Sequence, residues 1–191
     1  IQGRADHAGT CPMTLRKDAL TGAAELVLAV ENIGRSVPGL VATVGCLDVL
    51  NSASNVVPSE VAMTLDVRHA ENSVRRAALE TLEQRMRVIA EPRHLSTHWE
   101  VVQESPSVAC SSLLIGLLSE SAQAIQGATL RLCSGAGHDA VILSRVAPMG
   151  MLFVRCKDGV SHHPAESVDV DDFRVAIQVM CDALAKWRGG L

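Results

Sequence analysis

Tyrosine is absent from this chain, and only two phenylalanines and two tryptophans occur among its 191 residues. A core must therefore be built from Leu, Val, Ile, Ala and Met. Basic charge is also in short supply. Seventeen Lys and Arg stand against twenty-one Asp and Glu, a net charge of -4, which argues against nucleic acid as the main partner. No apolar run reaches the roughly 18–20 residues of a membrane span. The six cysteines form no C-x-x-C pair. Scattered through a chain this long, they read as reduced thiols rather than a disulfide framework, and a cytoplasmic location is expected. The opening IQGRADH has neither the apolar stretch of a signal peptide nor an initiator Met, so the start is read as processed or cut.

The first part of the chain alternates between two periodicities. Residues 1–6 look like the end of a strand. Leu15, Ala19, Ala23, Leu26, Val30 and Ile33 form a helical stripe over 14–34, ended by Gly34 and then Pro38-Gly39. Residues 40–49 are a β-branched strand and 51–58 a polar turn. Over 60–68, Val61, Met63, Leu65 and Val67 alternate with Ala62, Thr64, Asp66 and Arg68. A second helix carries Val74, Ala78, Leu82, Met86 and Ile89 and stops at Pro92. A last strand is predicted over 94–103. The order is βαββαβ, the ferredoxin-like arrangement, with two helices on one face of an antiparallel sheet.

Ser105-Pro106-Ser107 reads as a linker. Beyond it the pattern predicts a helix over 111–125 ending near Gly127, and a short strand over 129–132. A helix opening follows over 137–146, then an apolar strand over 149–154. A final helix over 169–187 has Phe173, Ile177, Met180, Leu184 and Trp187 on one side. Asp169, Asp171 and Asp172 cap its start, and Gly189-Gly190 end it. About 80 residues with few strands form a thin basis for an independent core. This part looks like the tail of a larger α/β domain.

Three polar clusters sit at the ends of elements, where functional residues usually lie. In GVSHHPAE, residues 159–166, Pro164 stiffens a histidine pair that either presents one imidazole to a metal or is solvated. In SGAGHDA, residues 134–140, small residues lead to His138 and Asp139. These are an anion-binding turn or a plain N-cap beside a surface histidine. In ADHAGT, residues 5–10, His7 follows a strand and precedes Gly9-Thr10, with Pro12 suited to start a helix. Asn55 lies in the turn NSASNVVP, where Asn suits the backbone for turn reasons alone. Arg68 ends a strand on its polar face, able to clamp a carboxylate or merely to be solvated.

GRADHAGTCPMTLRKDA, NSASNVVPSEVAMTLDVRH, SGAGHDA and FVRCKDGVSHHPAE together resemble the M20-type metallo-amidohydrolases in order and rough spacing. The branch they resemble contains N-carbamoyl-L-amino acid hydrolases, allantoate amidohydrolases and β-ureidopropionases. Cys11 stands where that family commonly has a second Thr; with Thr10 and Pro12 in place, little effect is expected.

The resemblance implies a ferredoxin-like lid over 1–106 that dimerises, followed by the C-terminal part of an α/β catalytic domain over 107–191. It implies hydrolysis of a linear carbamoyl or ureido amide bearing a carboxylate, at a site holding two divalent metal ions (Zn, Mn, Co or Ni). It assigns His162 as a metal ligand, the first of the pair and not His163. His7 reaches the partner subunit's active site and meets the substrate carbonyl as charge develops. Asn55 and Arg68 bind the substrate carboxylate, His138 lines the pocket, and Asp139 orients its turn. The family's remaining ligands and its general-base Glu lie ahead of the lid, and no H-x-D segment in this chain replaces them. The expected chain is thus part of a homodimeric enzyme, inactive without its N-terminal half. A peptidase or aminoacylase of the same family, and a non-catalytic dimerisation module, are the alternatives.

Overall fold

The computed structural model describes residues 1–187, divided into two compact units, Ile1–Ser107 and Val108–Leu191. The helix stop at Gly189 and Gly190 lies outside the described residues.

In the first unit the chain runs β1 (Asp6–His7), α1 (Ala19–Ser36), β2 (Val41–Leu50), β3 (Val56–Val57), β4 (Glu60–Arg68) and α2 (Asn72–Ala90). The helical stripe begins later than its pattern suggests. Asp18 caps α1, its carboxylate accepting from the N–H of Leu20 and Thr21. Residues Met13–Leu15 form a separate 3-10 turn ahead of it. Gly34 does not end α1; the helix runs on to Ser36, and Gly34 faces Ala42 of β2. Burial follows the predicted faces elsewhere. Ala19, Ala23, Leu26 and Val30 of α1 and Ala78, Leu82 and Met86 of α2 are buried, as is Val61 of β4. Leu82 alone represents about 1.5–3 kcal/mol of apolar transfer. Both helices pack on the β2–β4 pair.

β2 and β4 are antiparallel, with Val41 opposite Arg68 and Leu50 opposite Glu60, and a bulge between Val44 and Cys46. The N-terminal segment lies alongside β4. Gln2 bridges to Glu60 on one side and to Ser96 on the other. Gly3 approaches so closely that a Cβ there would stand 1.9 Å from the Lys17 carbonyl oxygen, so only glycine fits. The strand expected over 94–103 is reduced to the single bridge at Ser96. Its far end is tied down differently: Arg75, 8% exposed, donates to Glu104 at 2.7 Å, and the Ser107 N–H donates to Asn72 at 3.0 Å.

The second unit contains α3 (Ser112–Gln126), α4 (Ala140–Leu143) and α5 (Val170–Lys186). Gly127 ends α3 in the left-handed conformation at φ 73°, the usual glycine stop. Asp169 caps α5 by accepting from the Asp171 N–H. α3 packs on α5, and Lys186 bridges Glu120 at 3.1 Å and Asp182 at 2.8 Å. Four expectations fail here. Neither 129–132 nor 149–154 is a strand; the Met149 carbonyl instead accepts from the Ser111 N–H at 2.7 Å. Both segments lack a sheet to join, and a strand needs a hydrogen-bonded neighbour. The helix expected over 137–146 is a single turn. The apolar side predicted for α5 is also not its packed side. Val179 and Ala183 are buried, while Phe173, Ile177, Met180, Leu184 and Trp187 are exposed. All six cysteines are free thiols.

Candidate functional site

His7 sits at the end of β1, opposite Val56 of β3, and its side chain is exposed. The turn that follows is drawn tight around it. The His7 carbonyl accepts from the Cys11 N–H at 3.0 Å, and its own N–H donates to Asp6 at 2.9 Å. The Gly9 N–H donates to His7 Nδ1 at 3.0 Å. Arg16 closes the loop, donating to the carbonyls of Ala8 at 2.5 Å and Cys11 at 3.2 Å. Cys11 has a part that the sequence reading did not give it. Its thiol, which lies 3.8 Å from the Pro12 carbonyl, acts with the His7 N–H and Arg4 to hold the Asp6 carboxyl below its usual range. The Asp6 carboxyl, with burial, in turn pushes the Cys11 thiol up.

Asn55 is brought beside His7. The Ala8 N–H donates to the Asn55 carbonyl at 2.9 Å, and β3, absent from the sequence reading, continues the contact. Arg68 is not brought there. It ends β4 at the Val41 end, whereas Asn55 and His7 lie beyond the Glu60 end. Eight residues of strand separate the two ends by roughly 25 Å. The Arg68 guanidinium grips Asp66 through two nitrogens, at 2.7 and 2.6 Å. This hydrogen-bonded pairing, and the charge behind it, holds the Asp66 carboxyl down and raises Arg68. Neighbouring His69 ties the strand end to two loops. Its Nδ1 accepts from the Glu71 N–H at 2.9 Å, and its Nε2 lies 3.1 Å from the Pro38 carbonyl.

In the second unit His138 and His162 lie on exposed turns. His138 Nδ1 accepts from the Ala140 N–H at 3.0 Å. Asp139 makes no side-chain cap bond to α4. The two adjacent histidines differ. His163 Nδ1 accepts from the Ala165 N–H at 3.1 Å, whereas the His162 ring makes no hydrogen bond among the described residues. The His162 backbone is left-handed, φ 57°, a conformation that costs an L-residue about 1–2 kcal/mol. Glu166 holds it there by accepting from the His162 N–H at 2.9 Å. The spacing from His162 to Glu166 was the available signal for this contact. Among the described residues no three His, Cys, Asp or Glu side chains come together to hold a metal ion, so these residues do not complete a metal site.

Residues 8–186 match the family described as Peptidase family M20/M25/M40. The chain belongs to this family. It is 37% identical over 188 residues to an N-carbamoyl-L-amino-acid amidohydrolase of Pseudomonas sp. (strain NS671), covering 97% of this chain and 45% of that protein. It is 36% identical to an allantoate deiminase of Arabidopsis thaliana, covering 92% of this chain and 39% of the relative. Among solved structures, a hydantoinase/carbamoylase family amidase from Burkholderia multivorans superposes with a TM-score of 0.89 at 35% identity, over 96% of this chain and 45% of that one. The mixed α/β architecture is that of these amidases. The chain spans under half the length of these relatives. The M20 family is generally metal-dependent. Among the described residues no helix is long and apolar enough to cross a membrane.

Proposed function

We propose that this chain forms the lid and the C-terminal catalytic segment of an enzyme that hydrolyses a linear carbamoyl or ureido amide beside a carboxylate. The observation that carries the reading is the β1–β3 pairing. It sets His7 and Asn55 side by side on an exposed rim of the first unit, in a chain similar to amidohydrolases of carbamoyl amino acids. In the first unit Gln2 joins Glu60 and Ser96, a connection that supports the ferredoxin-like reading of the lid.

His7 meets the substrate carbonyl and steadies the oxygen as it becomes an oxyanion. Arg68 grips the carboxylate with its planar fork and so positions the scissile carbonyl; Asn55 adds a polar contact beside His7, and His138 lines the pocket. Arg68 lies some 25 Å of strand from the other two lid residues, so one lid cannot apply all three to one small substrate. Arg68 therefore comes from one copy, and His7 with Asn55 from its partner. Val41, Leu47 and Leu50 of β2 are exposed, and β2 pairs only with β4 among the described residues; that open apolar edge supports a homodimer through the lid. The remaining metal ligands and the base lie in the other half of the enzyme, whose sheet 129–132 and 149–154 would join. His162 is this chain's contribution to the metal site, its ring left without another hydrogen bond while Glu166 fixes its backbone.

In the enzyme completed with its N-terminal half, His162→Ala should abolish hydrolysis of an N-carbamoyl amino acid and weaken Mn²⁺ binding at least tenfold, while His163→Ala leaves both nearly intact. Equal effects of the two substitutions would exclude His162 as the ligand. Turnover by the 191-residue chain alone with Mn²⁺ would refute its dependence on the other half.

A further inference from the structure

The geometry points to Gly9 as a positioning residue that locks His7 into its Nε2–H tautomer, so that the ring meets the substrate carbonyl as a hydrogen-bond donor. The role of the lock rests on the proposed contact between His7 and the carbonyl. The lock itself rests only on the turn. The Gly9 N–H points at His7 Nδ1 from 3.0 Å. A nitrogen that accepts a hydrogen bond carries no proton, so in the neutral imidazole the proton resides on Nε2. An oxygen gaining negative charge needs a donor; the other tautomer would offer it a lone pair.

Glycine meets two requirements at this position. Proline would remove the N–H. Any side chain would place its Cβ 3.2 Å from His7 Cε1 and 3.5 Å from Nδ1, crowding the ring on the side where the bond forms. The rest of the turn keeps the backbone of residues 7–11 in register with the ring. The Cys11 N–H closes onto the His7 carbonyl, and Arg16 fastens the carbonyls of Ala8 and Cys11. His138 repeats the device, its Nδ1 accepting from the Ala140 N–H at 3.0 Å.

The test is the tautomer of each ring, read from two-bond ¹H–¹⁵N spectra of ¹⁵N-histidine-labelled chain at about pH 8, where an ordinary histidine is neutral. His94 makes no ring hydrogen bond among the described residues and serves as the reference. The Nε2–H preference of His7 should exceed that of His94 about fivefold, the bias that one ordinary hydrogen bond supplies. In Gly9→Pro that excess should vanish while His138 stays unchanged. Gly9→Ala, which keeps the N–H but crowds the ring, should reduce it. A His7 that matches His94 in the unsubstituted chain, or keeps its bias in both variants, overturns the lock. If Gly9→Pro also disturbs His138, the Gly9→Ala spectrum decides.

In the completed enzyme, Gly9→Ala should lower kcat about fivefold with KM little changed. Activity also separates the two ideas. If His7→Ala leaves turnover intact while the tautomer bias stands, the carbonyl contact is wrong and the lock survives. If His7→Ala removes turnover while the bias is missing, the lock alone is wrong.

Discussion

Arg68, proposed to hold the substrate carboxylate, already grips a carboxylate of its own strand. Its Nε and Nη2 donate one each to the two oxygens of Asp66, a partner two residues away on the exposed face of β4. The geometry that accepts Asp66 is the geometry that accepts a carboxylate ligand, because both present two coplanar oxygens. Lysine keeps the charge and loses the fork. In the completed enzyme, Arg68→Lys should raise KM for a carboxylate-bearing substrate about tenfold with a smaller change in kcat, the effect of one lost charged hydrogen bond. An unchanged KM would remove Arg68 from the binding site. At this scale the sequence was informative about identity and silent about support. His7, Asn55, Arg68, His138 and His162 all stand out by motif. The parts played by Gly9, Cys11, His69 and Glu166 do not, because bonds from a ring or carboxyl to a backbone N–H a few residues away depend on dihedral angles that residue types leave open.

Elements were legible where they are self-sufficient. α1, α2, α3 and α5 close their hydrogen bonds internally, so periodicity locates them; Asp169 caps α5 as its place at the helix start suggests, whereas Asp18, inside the stretch read as helix, is the cap of α1. Strands need a neighbour, and the segment over 94–103 keeps only its bridge at Ser96. What holds the end of that segment is an ion pair. The side-chain hydrogen bond from Arg75, followed by the charge of Arg75, lowers the Glu104 carboxyl from its ordinary 4.5. A carboxyl lowered in the folded state adds stability that is fully present above pH 4.5 and is lost as pH falls through its lowered value. Glu104→Gln should therefore reduce the thermal stability of the chain at neutral pH and make little difference once the wild-type carboxyl is protonated. Melting curves of the two proteins should converge as pH drops below 4.5. A gap that stays constant with pH would show that the pair contributes packing rather than charge.

At the scale of the whole molecule, the least legible features are which side of an element packs and which ends of the strands lie together. The apolar side read for α5 includes Phe173, Ile177 and Leu184, which are exposed, and the packed residues are Val179 and Ala183. Periodicity reports an apolar face and not what covers it. The same holds for the first unit: each motif residue could be named, but only the register shows that His7 and Asn55 lie at one end of β4 and Arg68 at the other. In a two-fold dimer sharing residues across its interface, each site takes Arg68 from one copy and His7 from the other. Mixing completed enzyme carrying His7→Ala with enzyme carrying Arg68→Ala should then restore activity beyond what either variant retains. A heterodimer contains one site with both substitutions and one with neither. Random exchange makes half of the dimers mixed, so the recovered activity should approach about a quarter of the unsubstituted enzyme, on top of what each variant retains. If His7 and Arg68 act from the same chain, every site in the mixture carries one substitution, and exchange of subunits recovers nothing.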